Sequence, residues 1–249
     1  MPVFGTGSGN TSMEVHAIEG GTFQFSAARP EDLGAAEYTL VTIVTDVTGS
    51  VSGFEKILRN AVIEAVRACG NSPRADNLLV RFVTFNDKIK EEHGFKTLRQ
   101  IDPQKEYKPL KCGGSTALYD AVKESIAATS AYANILTQND FDVNGIIFII
   151  TDGADNASRA NRADIAAAIQ QITRSEELES LLVILIGVNA DACSQWLNEF
   201  YQDAGLSQYV DIRDFDATKG AKLAEFISKS ASMQSKSLGT GGASQPLTF

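Results

Sequence analysis

Residues 144–151 read NGIIFIIT, with five consecutive large apolar side chains closed by a threonine. A strand with one wet face alternates apolar and polar residues. This one does not, so it reads as a strand buried on both faces. Two more runs share that character: YTLVTIVT at 38–45 and LLVILIGV at 181–188. Between and after them lie helical stretches at 51–69, 116–136, 159–174, 193–204 and 217–231, with a short strand at 209–212. The first helix shows its face plainly, because Phe54, Ile57, Leu58, Ala61, Val62, Ala65, Val66 and Cys69 recur at three- and four-residue spacing. Doubly buried strands separated by helices imply a mostly parallel sheet covered on both sides. The run LLVRFVTF at 78–85 and a strand at 92–101 are joined by a turn at Asn86-Asp87. Too little chain separates them for a crossover helix, so this pair is expected to be an antiparallel hairpin at the sheet edge.

Upstream, residues 13–18 and 22–26 alternate around Glu19-Gly20-Gly21 and predict a β-hairpin extension over 13–27. Residues 1–12 and 233–249 are rich in Gly, Ser and Thr, and read as flexible tails. The expectation is a doubly wound α/β fold with helices on both faces, one antiparallel edge strand and an N-terminal hairpin. It forms one domain over 13–232, with its core at 38–232.

A net charge of −9 without a basic run argues against nucleic acid as the partner. No stretch is long and apolar enough to span a membrane. The N-terminal MPVFGTGSGNTS lacks the regions of a secretory signal. Cys69, Cys112 and Cys193 stand far apart with no CxxC, which disfavours zinc and suggests reduced thiols in a cytoplasmic setting.

Ligands of such sheets bind beyond the C-terminal ends of the strands. Three loops there carry unusual residues: Asp46-Val47-Thr48-Gly49-Ser50, Gly113-Gly114-Ser115-Thr116, and Thr151-Asp152-Gly153. Their donors are all hard oxygens, on Asp46, Thr48, Ser50, Thr116 and Asp152. Such a set suits Mg²⁺ or Mn²⁺, with Ca²⁺ as a further option.

The D-x-[ST]-x-S loop, the threonine in a Gly-rich loop and the T-D-G resemble the metal-ion-dependent adhesion site (MIDAS) of the von Willebrand factor A family. The order of strands and helices from Tyr38 to about Ser232 is similar too. The resemblance implies that Thr48 and Ser50 ligate the ion directly. Thr116 would ligate it in the ligand-bound state, and Asp46 and Asp152 would act through water or hydrogen bonds. It implies a protein partner that completes the shell with its own Asp or Glu. Thr48 departs from the commoner serine but keeps the oxygen. Intracellular bacterial members point to an AAA+ ATPase as one candidate partner, inside a multiprotein assembly.

Plainer readings exist for each residue. Asp46, Ser50 and Thr116 could cap helices, Asp155 and Asn156 could be turn formers, and Asp120 could be a solvated or capping carboxylate. His16 and His93 are isolated, Trp196 and Cys69 read as core, and so does Cys193. Enzyme motifs fail. Gly49-Ser50-Val51-Ser52-Gly53 puts valine at the nucleophile position of G-x-S-x-G, there is no Walker A, and no second Asp follows Asp46 at the spacing of a metal-dependent phosphatase. The sequence therefore predicts a binding module rather than an enzyme, with a phosphoester hydrolase as the remote alternative.

Overall fold

A computed structural model describes residues 13–18, 23–175 and 178–249. The tail expected over 1–12 and the turn at Glu19-Gly20-Gly21 lie outside the described residues. Eight strands make one sheet: β1 (Met13–Ala17), β2 (Gln24–Ala28), β3 (Glu37–Asp46), β4 (Leu78–Phe85), β5 (Ile89–Thr97), β6 (Asp142–Thr151), β7 (Leu181–Val188) and β8 (Gln208–Ile212). Their spatial order is β1-β2-β5-β4-β3-β6-β7-β8. Strands β4, β3, β6, β7 and β8 run parallel, and β5 is antiparallel to β4. The helices are α1 (Glu55–Gly70), the single turn α2 (Pro103–Glu106), α3 (Leu118–Thr137), α4 (Arg162–Ser175), α5 (Ser194–Asp203) and α6 (Ala217–Thr240).

The apolar run that predicted a doubly buried strand is β6, buried from Val143 to Thr151. Its side chains alternate between two cores. Ile147 and Ile149 pack with α3, α4 and α5 on one face. Ile146, Phe148 and Ile150 pack with α1 and α6 on the other. Each such isoleucine contributes on the order of 1.5–3 kcal/mol by burial. The mostly parallel, doubly wound sheet is thus as expected.

The N-terminal hairpin does more than precede the sheet. β2 pairs in parallel with β5 at Ala27 and Phe95, so β5 is interior and the edge falls on β1. Glycine makes this docking possible: a Cβ on Gly94 would lie 1.7 Å from the Ser26 carbonyl oxygen. A buried ionic knot fastens it. Arg81 binds Glu124 at 2.6 Å and Glu91 at 2.7 Å, and the Ser26 hydroxyl donates to Glu91 at 2.6 Å. Burial works against the Arg81 charge, but Glu124 and Glu91 overcome it and hold the guanidinium protonated.

The last helix was expected to end at Ala231, with a loose segment from 233. It runs instead to Thr240 and stops at Gly241 in the left-handed conformation. The added turns are polar, so no apolar face announced them. They are held by hydrogen bonds to the start of β6 and to the connection before β4: Asn144 Nδ2 donates to the Gln234 carbonyl, Gln234 Nε2 donates to the Gly145 carbonyl, and Arg74 Nε donates to Ser235 Oγ. Beyond it, Gln208 donates to the Leu247 carbonyl, and Phe249 packs edge-on against Phe226. Among the described residues no helix is long and apolar enough to cross a membrane.

Candidate metal centre

Parallel pairing of β3 with β6 places Thr45 beside Ile150, so both strands end together at the same rim. Asp46 is the last residue of β3 and is fully buried there. The chain then turns sharply, because Asp46 Oδ1 accepts from the Thr48 backbone N–H at 2.8 Å. The next residues form one tight turn, Gly49–Val51, and α1 begins only at Glu55. The sequence had started that helix at 51. The delay keeps residues 48–54 as a loop and leaves their hydroxyls at the rim.

Four of the five expected donors meet in one hydrogen-bonded network. Thr48 Oγ1 lies 3.1 Å from Ser50 Oγ, and Ser50 Oγ donates to Asp152 Oδ1 at 2.8 Å. Thr151, at the end of β6, closes the circle by donating to Asp46 Oδ2 at 2.6 Å. Thr116 is buried across from them. Its Oγ1 would lie 3.8 Å from a Cβ placed on Gly153. None of the described hydrogen bonds joins the Thr116 hydroxyl to the other four donors. The capping alternative fails for Ser50 and Thr116, since the N-cap positions of α1 and α3 are Phe54 and Ala117 and neither hydroxyl bonds a first-turn N–H among the described residues.

Residues that looked ordinary in the sequence hold Thr116 in place. Asn156 Oδ1 accepts from the Thr116 N–H at 2.8 Å, and the Asn156 N–H donates to the Thr116 carbonyl at 2.9 Å. Asp155 accepts from the Tyr119 N–H, and Asp120 accepts from the N–H groups of Arg159 and Ala160. The loop 153–160 is therefore laced to the first turn of α3. From the other side, Asn86 Nδ2 donates to the Gly113 carbonyl at 2.8 Å, and the Ala117 N–H donates to the Asn86 carbonyl. Gly114 takes φ +85°, and a Cβ there would strike Asp87 Oδ1 at 2.5 Å. The one hint in the sequence was the density of Asp, Asn and Ser directly after T-D-G.

The electrostatics is one-sided. Burial raises Asp46 to about 6. Hydrogen bonds from Thr151 and Thr48 oppose the rise, and the neighbouring Asp152 carboxylate adds to it. Burial also raises Asp152, against the hydrogen bond from Ser50. No Lys or Arg pairs with either carboxylate among the described residues. Cys193 Sγ lies 3.5 Å from the Asp152 carbonyl, and burial with the site's negative charge raises its thiol. Two carboxylates and three hydroxyls without a counter-charge fit a small hard cation, which would reverse the local sign. Among the described residues no group of three or more His, Cys, Asp or Glu is placed to hold a metal. A cation at this rim would have to draw its remaining donors from hydroxyls.

No family model matches the chain, and no curated protein matches it in sequence. Solved structures do match. The D319A mutant of the PilB minor pilin from Streptococcus sanguinis superposes with TM-score 0.59 at 15% identity, over 84% of this chain and 64% of that one. The pilus adhesin SpaC from Lactobacillus rhamnosus GG gives TM-score 0.60 at 10% identity, over 82% and 31%. Proximal thread matrix protein 1 from the mussel byssus, with a zinc-occupied MIDAS motif, gives 0.52 at 15%, over 80% and 47%. This chain thus spans less than two thirds of each. Likeness at such identities establishes the fold alone, the doubly wound α/β sheet shared with these proteins. The expected cytoplasmic setting is overturned by these matches, which are proteins of pili and of the byssus. Of the three free cysteines that suggested it, Cys69 is buried and Cys112 and Cys193 are half-buried, so unpaired thiols here do not mark a compartment.

Proposed function

We propose that this chain is a protein-binding module that takes one divalent cation, Mg²⁺ before Mn²⁺ or Ca²⁺, among Asp46, Thr48, Ser50, Thr116 and Asp152. The cation would supply the positive charge that draws an Asp or Glu side chain of a partner protein. The observation that carries this reading is the pair of buried or half-buried carboxylates, Asp46 and Asp152, joined through hydroxyls and left without a cationic side chain.

The chain's own groups have separable tasks. Thr48 and Ser50 offer neutral oxygens at the rim. Asp46 orients the loop through the Thr48 N–H, and Asp152 orients Ser50. Few direct carboxylates leave the charge under-neutralised, which favours one more from outside. Asn156 and Asn86 fix the approach of Thr116. The zinc reported for the byssus protein belongs to that protein; an all-oxygen donor set favours a harder ion here.

Titration calorimetry with Mg²⁺ and Mn²⁺ tests the reading. Wild type should bind one ion, and Asp46→Ala should bind none; retained affinity in the variant would sink the assignment. No observation favours the alternatives, an AAA+ ATPase subunit or a phosphoester hydrolase. His93 is buried against Gly94 and Tyr107, with no path to act as a base at this rim.

A further inference from the structure

A groove of about 2040 Å³ opens beside the candidate site, where Val47, Lys111 and Ala117 line it, and reaches the β1–β2 hairpin. Five cations on its walls, Lys88, Lys108, Lys111, Lys123 and Arg159, are exposed and have no ion-pair partner among the described residues. Most of its acids are already engaged. Glu92 binds Lys90, Glu124 binds Arg81, and Asp120 and Asp164 accept backbone N–H groups. In a chain of net charge −9, these five unpaired cations outnumber the three carboxylates of the lining that have no cationic partner among the described residues, Asp87, Asp120 and Asp164. The far lip is apolar: Val15 is 52% and Phe23 36% exposed, two of only four large apolar side chains exposed among the described residues.

We propose that this groove seats an extended acidic segment of the partner protein. The segment runs from the carboxylate anchored at the rim toward Val15 and Phe23, where one of its apolar residues sits. The proposal rests on the reading of the rim as the anchor for a partner carboxylate, and adds what must surround that carboxylate. Charge complementarity selects the occupant, because unpaired surface cations gain most from an acidic chain. An oligonucleotide would meet the same unpaired cations and is the competing occupant that the test below separates.

Fluorescence anisotropy on the full chain provides the test. The probes are a labelled Glu/Ser dodecapeptide with one Leu near its end, its Lys/Ser counterpart, and a dodecameric oligothymidylate, each in millimolar Mg²⁺ and in EDTA. The combined variant Lys88→Glu, Lys111→Glu, Lys123→Glu should weaken the acidic peptide by about tenfold or more in both buffers. The milder Gln triple should weaken it less, which guards against misfolding as the cause. Phe23→Ser should weaken the Leu peptide but not a Leu→Ser version of it. The proposal is overturned if the acidic peptide does not bind wild type, if the Glu triple binds it as well as wild type, or if the oligothymidylate binds more tightly. Asp46→Ala separates the two readings. A triple variant that loses binding while Mg²⁺ and Asp46→Ala change nothing leaves the groove standing and removes the cation. Loss with Asp46→Ala alone does the opposite.

Discussion

Replacing Asp46 by asparagine isolates the electrostatic tension at the rim. The two side chains have nearly the same shape. The introduced amide oxygen would still accept from the Thr48 N–H, and the Thr151 hydroxyl, which already lies 3.2 Å from the Gly153 carbonyl, would turn to donate there and accept from the new amide. What disappears is a buried charge. Asp46 is raised from 3.8 to about 6 in the fold, a rise worth about 3 kcal/mol against the ionised form at neutral pH. Rearranging the Thr151 hydrogen bond takes back about 1 kcal/mol. Asp46→Asn should therefore be more stable than wild type by about 2 kcal/mol in EDTA at neutral pH. The pH dependence has a definite sign. Because the folded pKa lies above the unfolded one, the folded protein binds the extra proton between about pH 4 and pH 6. The wild-type penalty is absent below that window and complete above it, so the advantage of the amide should vanish toward pH 4. Saturating Mg²⁺ should reverse the order, since an ion at a hundred times its Kd stabilises the form that binds it by about 2.7 kcal/mol. Urea unfolding of both proteins, in EDTA and in Mg²⁺, at several pH values, measures all of this. An Asp46→Asn variant less stable than wild type in EDTA at neutral pH would refute the reasoning.

Asn156→Ala removes the acceptor for the buried Thr116 N–H, and should lower stability by about 1–3 kcal/mol and weaken Mg²⁺ binding in calorimetry; unchanged affinity would show that Thr116 needs no brace. Gly94→Ala should lose at least about 1–3 kcal/mol by overpacking against Ser26, and hydrogen exchange should show the β1–β2 amides losing protection while β6 keeps it. His93, lowered to about 4 by burial, against the Gly94 carbonyl hydrogen bond and with Lys96 adding to the fall, should make stability decline as pH drops from about 6.5 to about 4 and level off below. In His93→Gln that part of the acid slope should be missing from urea midpoints.

How far the fold was legible depends on which part is considered. The three apolar runs named β3, β6 and β7 because a doubly buried strand has no polar face to hide its signal. The loops at Asp46, Thr116 and Asp152 stood out because charged and hydroxylated residues close apolar strands or open helices there. Asn86 and Asn156 read only as turn residues because their roles lie in contacts to residues about 30 and 40 positions away, and an Asn in a turn looks the same whether or not it braces something. The end of α6 was missed for a related reason. Residues 232–240 are held by polar contacts to the start of β6 and to the connection before β4, and the pattern of apolar spacing is blind to such contacts. The docking of β2 onto β5 hinges on the absence of a side chain at Gly94, and an absent side chain gives no periodic signal.

The ionic knot beneath the hairpin also sets an order of events during synthesis. β1 and β2 leave the ribosome before the rest of the sheet, yet their seat is built from Arg81, Glu91, Gly94 and Glu124. The hairpin must therefore wait unsatisfied until α3 has emerged, since pairing across so much intervening chain forms late. A nascent chain halted before residue 124 would hold Arg81 one acid short, with its first two strands still waiting to dock.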